Sequence, residues 1–179
     1  RCLVSGAAGG VGHAAVQVAK AAGSHVIALA RPETADFVRA LGADVVLDYR
    51  RDDLATAVND ASGGQLDVVL ETHADSNIKP EISAAGSNAR IVVLGEESPI
   101  SIDSATAMTA KQADLDVRFM SLAAATAAQA PTLDAVAPFL AEGQLEAQID
   151  SRFEVDQATA AYNRLGEPGL HGRVVVDIA

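Results

Sequence analysis

The stretch GAAGGVGHAAVQVAKAAG, from Gly6 to Gly23, packs four glycines into seven residues and follows them with an alanine- and valine-rich run. Ahead of it, Cys2–Ser5 is a short apolar run bounded by glycine, the pattern of a buried strand. Behind it, Val11–Ala22 is apolar at nearly every position and stops at Gly23, the pattern of a well-buried helix. Strand, glycine turn and helix together are the opening of a nucleotide-binding βαβ unit. Against the pattern G-x-G-x-x-G, Ala7 takes the first glycine place, and Gly9 and Gly12 hold the second and third. The first place makes the tight turn, which Gly6 shares. Gly9 lets backbone approach a pyrophosphate, and Gly12 lets the helix lie close to the strand. The turn Gly6, Ala7, Ala8, Gly9, Gly10, Val11, Gly12 is therefore the candidate phosphate cradle, with the helix N-terminus supplying unpaired N–H groups and a partial positive charge.

Outward from this unit, strand-like and helix-like segments alternate. Strands are expected at 25–30, Val45–Asp48, Leu66–Glu71, Arg90–Leu94 and Asp116–Leu122. Helices are expected from Pro32 to Leu41, Asp52–Asp60, Ile78–Ala85, Ser104–Ala113 and Pro131–Glu142. A strand at Ile149–Phe153, a helix at Asp156–Leu165 and a strand at Arg173–Ile178 close the chain. The alanine-rich Ala123–Ala130 reads as helix or linker. Apolar strands alternating with helices imply an α/β, Rossmann-type, doubly wound parallel sheet of about six strands with helices on both faces. The expected order is 3-2-1-4-5-6, with a ligand crevice where the order reverses beside strand one.

Composition narrows the partners. The chain has 179 residues and a formal charge of −11, which argues against nucleic acid and against an anionic membrane. No apolar run is long enough to span a membrane, and no leader opens the chain, so a cytoplasmic location is expected. The single cysteine, Cys2, reads as a small core residue. No two histidines have metal-ligand spacing, so no metal is expected in this chain. No Gly-x-Ser-x-Gly elbow supports hydrolase chemistry. The chain opens at Arg1, already inside a strand, which reads as a fragment.

The end of strand two bears on which dinucleotide would bind. NAD binders usually carry a carboxylate there for the ribose hydroxyls. Here the position is Ala30, followed by Arg31. A small residue and a guanidinium suit a 2′-phosphate, so NADP(H) is expected, with NAD(H) as the alternative. Arg31 as an ordinary exposed arginine is the competing reading. Arg50 and Arg51, after strand three, either line the same adenosine end or are simply solvated.

The run of motifs GAAGGVGHAAVQVAKAAGSHVIALA, LGADVVLDY, LDVVLET, IVVLG and HGRVVVDIA, in this order, resembles the medium-chain dehydrogenase/reductase superfamily. The likeness is to its zinc-independent quinone oxidoreductase and enoyl reductase branch, and it covers essentially the whole chain. It implies a cofactor-binding Rossmann domain at 1–144 and a tail at 145–179. In the family that tail completes a GroES-like catalytic domain, which is not in this sequence. Tyr49 matches a family tyrosine near the adenosine 2′-phosphate. Thr72 and Leu94-Gly95 match the backbone lining the ribose and nicotinamide. NADPH-using members often carry Ser near position 31 and Lys near 34. Arg31 and Thr34 stand here, so the phosphate pocket would rest on Arg31. Where the family often reads Val-Gly, this chain has His73-Ala74, and His73 reads as a polar loop histidine. No catalytic residue is expected in the chain.

The expected function is hydride transfer between NADPH and a quinone, enone or enoyl substrate bound mainly by the missing domain. The alternatives are a non-catalytic or redox-sensing dinucleotide module, the cofactor domain of a zinc-dependent alcohol dehydrogenase, and a domain for another adenosine ligand. The family habit of joining last strands edge to edge implies a homodimer through Asp116–Ala123, an apolar edge with Val117, Phe119 and Leu122.

Overall fold

Alternation of residues along β1 (Cys2–Val4), β2 (Val26–Leu29), β4 (Leu66–Glu71) and β5 (Ala85–Val93) sends successive side chains to opposite faces of one parallel sheet. The computed structural model describes residues 1–124 and 126–178. With β3 (Val45–Leu47) and β6 (Asp116–Phe119), the sheet has six strands in the order β3-β2-β1-β4-β5-β6, the expected doubly wound arrangement. Every pairing is parallel, with Val4 of the central strand opposite both Ala28 and Leu70.

Two apolar layers result. On one face Leu3, Ile27, Leu29, Val69 and Ile91 pack against α3 (Leu54–Ser62) and α4 (Ala74–Ala84). On the other, Val4, Val26, Ala28 and Ala30 meet Val16 of α1 (Gly12–Ala21) and Val38 of α2 (Ala35–Ala40). The second layer is rich in alanine, so α1 sits close to the sheet. That closeness requires Gly12, where a Cβ would lie 2.1 Å from the Gly6 carbonyl oxygen and 2.7 Å from Ala7 Cα.

Several boundaries differ from expectation. Pro32–Thr34 forms a 3-10 turn before α2 rather than its first turn. Helix α4 starts at Ala74, not Ile78. Its buried face is Ala74, Asn77, Ile78, Glu81 and Ile82, a helical spacing disguised by two polar members. Pro80 lies inside it. Strand β5 starts at Ala85, because Ala85 pairs with Leu66 before the register shifts to Arg90 opposite Val68. Strand β6 ends at Phe119, where Met120 makes a last bond to Val93. Helix α5 (Ser104–Gln112) is capped by the Asp103 side chain, which accepts from Thr106 N–H. Helix α6 runs Thr126–Ala141, starting before Pro131, and Ala125, in the alanine-rich stretch, lies outside the described residues.

Beyond it, β7 (Ile149–Glu154), a 3-10 turn at Val155–Gln157, α7 (Ala158–Arg164) and β8 (Arg173–Asp177) form a second unit whose two strands pair in parallel. This tail is bonded to the first βαβ unit. Gly172 N–H donates to Ala8 O at 2.7 Å, and Gln17 exchanges two hydrogen bonds with the Glu146 backbone.

Candidate functional site

The sheet order reverses between β1 and β4, and a crevice of about 460 Å³ opens there. Its walls come from the glycine turn (Gly6, Ala8, Gly9), the end of β2 with Arg31, Tyr49 after β3, and the segment after β4. Leu165–Leu170 of the tail supplies a further wall, which sequence reading did not assign to the site. Asp150 holds that wall. Its side chain, 3% exposed, takes both arms of Arg164 at 2.7 and 2.8 Å and the His171 N–H at 3.2 Å. The Arg164 guanidinium keeps the Asp150 carboxyl well below the usual range, at about 2.

Within the turn, Ala7 N–H donates to Leu29 O and Gly9 N–H to Gly6 O, so these donors are spent on the fold. The N–H groups of Gly10, Val11 and Gly12 meet no acceptor among the described residues. No side chain caps α1, and its first turn has no acidic residue. Three unpaired donors at an uncapped helix start form a seat for an anion. Gly6, at φ +61°, could carry no side chain, since a Cβ would lie 2.4 Å from Thr72 Oγ1. His13, next in line, is buried and bonded at both ring nitrogens. Nε2 accepts from Gln148 N–H at 3.3 Å, so Nδ1 carries the proton and donates to Gly9 O at 3.0 Å. It fastens the turn to the tail.

At the β2 end, Ala30 is buried and Arg31 is exposed, with Nε donating to Tyr49 Oη at 3.0 Å. That bond pushes the Arg31 guanidinium up. Arg31 meets no carboxylate within ion-pair distance among the described residues. Arg50 and Arg51 do: Arg50 forms a two-armed pair with Asp48 and Arg51 with Asp53. Of the three arginines, Arg31 is the one without an ion pair beside the crevice, with Glu33 and Asp48 acting on it only from farther off.

At the β4 end, Thr72 and Leu94-Gly95 adjoin one another. Leu94 N–H donates to Glu71 O, Ala74 N–H to Gly95 O, and a Cβ on Gly95 would lie 2.8 Å from Thr72 O. They stand beside the crevice rather than among its lining residues. His73 is exposed, as expected of a loop histidine, yet it lines the crevice. Beneath it are two carboxyls that sequence reading missed. Glu71 and Glu81 are fully buried, and Glu71 Oε1 accepts from His73 N–H. Glu71 Oε2 and both Glu81 oxygens meet no other donor among the described residues. Burial, and after it the Glu71 carboxyl, push Glu81 well above the usual range. Protonated Glu81 then supplies the missing donor. The signal was available in outline: a glutamate ends the mostly apolar β4, and another sits between Ile78 and Ile82 on the helix face.

Cys2 is half-buried, and burial raises its thiol. Among the described residues no group of three or more His, Cys, Asp or Glu is arranged to hold a metal ion. No helix among them is long and apolar enough to cross a membrane.

The model of the zinc-binding dehydrogenase family matches residues 10–142. A curated chloroplastic quinone oxidoreductase, QR1 of Triphysaria versicolor, is 29% identical over 98% of this chain and 51% of its own. Among solved structures, a quinone oxidoreductase from Pseudomonas syringae pv. Tomato DC3000 superposes with a TM-score of 0.84 at 26% identity, covering 99% of this chain and 56% of the other. The CurK enoyl reductase gives 0.83 at 26%, covering 100% and 55%. The chain thus spans about half the length of the curated relatives it matches.

Proposed function

The chain belongs to the zinc-binding dehydrogenase family, in the quinone oxidoreductase and enoyl reductase branch of the medium-chain dehydrogenase/reductases, and from that premise we propose that it holds NADP(H) for hydride transfer to a quinone, enone or enoyl substrate. The residues present fit such a cofactor. The free N–H groups of Gly10, Val11 and Gly12 would hold the pyrophosphate. Gly6 and Gly9 keep side chains out of its way. Thr72 and Leu94-Gly95 would border the ribose and nicotinamide. When bound, the nicotinamide exchanges the hydride, and the protein supplies orientation and electrostatics. The tail wall at Leu165–Leu170 would shield the bound molecule from water.

The observation that carries the choice of NADP(H) is Arg31. It sits next to buried Ala30, where no carboxylate can repel a 2′-phosphate, and Tyr49 orients it. Paired titrations with NADPH and NADH test this. Arg31→Ala is expected to weaken NADPH by about 1–3 kcal/mol and leave NADH nearly unchanged. Arg50→Ala, which removes a cation already paired with Asp48, is the control and changes neither. Equal weakening of both dinucleotides by Arg31→Ala would leave the 2′-phosphate without its reader.

The reading extends to assembly. Strand β6 ends the sheet with all four residues exposed; Phe119, its last residue, and Leu122 just beyond are 66% and 71% exposed. Such an edge is a template for a second copy of this chain. Light scattering at high protein concentration is expected to give twice the chain mass, and Phe119→Lys to return it to the monomer.

A further inference from the structure

The glycine turn and the arginine at β2 account for two parts of a dinucleotide. His73 is used by neither. Its ring lies against Gly6: a Cβ built on that glycine would fall 3.1 Å from His73 Cε1 and 3.2 Å from Nδ1. The ring is thus held at the base of the phosphate turn, on the wall of the crevice.

Its proton can be placed by following the hydrogen bonds inward. Ser5 O can only accept, and Thr72 Oγ1 lies 3.2 Å from it, so the Thr72 hydroxyl donates there. The same oxygen then accepts from His73 Nδ1 at 2.9 Å. Nδ1 keeps its proton, and Nε2 is the nitrogen without a protein partner among the described residues. Nε2 is therefore the atom at which this ring can gain a charge. A neighbouring anion favours the protonated form of an imidazole.

We infer that His73 is the proton-coupled contact of the site: entry of the dinucleotide's anionic phosphates is accompanied by uptake of a proton at His73 Nε2, which then donates to them. This rests on the dinucleotide reading above. The reaction is a proton taken from solvent onto the Nε2 lone pair, with no other bond made or broken. The charged groups around the ring are mixed. Glu71 accepts from its backbone N–H, and Glu81 lies buried beneath with its carboxyl protonated. Asp75, at the start of α4, is turned to Glu97 N–H and Ser98. Glu97 and Glu167 line the crevice from the segment after β5 and from the tail, and Arg31 lines it from the end of β2. None of these forms an ion pair with the His73 ring among the described residues, which leaves Nε2 open to an anionic ligand.

The test compares the chain with His73→Gln, which keeps a hydrogen-bonding side chain but cannot titrate. NADPH binding is measured by calorimetry in two buffers of different ionisation enthalpy near neutral pH, and by fluorescence from pH 6 to 8.5. The unaltered chain is expected to take up more protons than the variant. Its affinity should fall across that range by about tenfold more than the variant's, whose remaining slope belongs to the 2′-phosphate itself. Equal proton uptake and equal slopes overturn the role of His73 while leaving the dinucleotide reading intact. Binding of neither NADPH nor NADH by the unaltered chain overturns both. Should the variant fail to fold, the ¹⁵N signals of the His73 ring in the unaltered chain decide: Nε2 must move toward its protonated position when NADPH is added, and a stationary signal ends the proposal.

Discussion

Two carboxyls in this molecule have side chains almost wholly shielded from solvent and meet opposite fates. Asp150 in the tail is 3% exposed and faces Arg164, which holds it ionised far below its usual range. Glu81 in α4 is 1% exposed and faces Glu71, and it is held protonated far above its usual range. Burial alone would raise both. The partner decides the sign, and each partner comes from a neighbouring element of the chain: β7 meets the end of α7, and α4 meets the end of β4. Each pair also supports a wall of the same crevice. Asp150 and Arg164 brace the loop Leu165–Leu170, and Glu71 holds the His73 N–H.

The largest effect is expected at the ionised site. Asp150→Asn leaves Arg164, partly buried, with only the longer contact to exposed Glu167 and should cost about 2–3 kcal/mol in chemical denaturation. The pH dependence has a definite sign. A carboxyl whose folded value is depressed contributes its stability above the unfolded value and loses it as pH falls through the folded one. Acid titration should therefore show the Asp150 contribution fading between about pH 4 and about pH 2. An Asn variant as stable as the parent at pH 7 would break the contrast.

Glu81 should respond in the other direction. Its folded value is raised, so its contribution is complete below the unfolded value and is lost as pH rises through the folded one. Glu81→Gln keeps the shape and removes the titration. Thermal melts should find it more stable than the parent by about 1 kcal/mol or more at pH 8, with the gap closing toward pH 4. A gap that widens on acidification would refute a protonated Glu81.

The smallest effect sharpens the role of burial. Arg51 and Asp53 make a two-armed pair as short as that of Asp150, but at an exposed position. Arg51→Ala should change stability far less than Asp150→Asn does, and less still in high salt. A loss comparable to that of Asp150→Asn would show that geometry, not desolvation, sets the strength of these pairs.

Legibility in the sequence followed the same division. The glycine turn could be read because each glycine answers a local demand. Gly12 is required by a carbonyl six residues back, and Gly6 by its own positive φ. Arg31 was legible because it is adjacent in sequence to the end of a strand, and so was the six-strand order, which follows from alternation and crossover rules. Helix α4 was cut short because Asn77 and Glu81 interrupt the apolar pattern that marks a buried face. The role of His13 could not be read from the turn, because its second partner, Gln148, lies 135 positions away. The tail wall escaped for the same reason: nothing near Gly166 or Gly169 announces contact with residues near Ala8.

By itself, then, the sequence determined the doubly wound sheet, the place of the glycine turn and the absence of a carboxylate after β2. Each of these depends on residues close together in the chain, where backbone sterics and side-chain periodicity act. Only the tertiary structure decided which of Arg31, Arg50 and Arg51 lacks an ion pair, which carboxyl is charged, and what the His73 ring touches. Those are questions of electrostatic surroundings, and the surroundings of a buried or crevice-lining group are assembled from segments that meet only when the chain has folded.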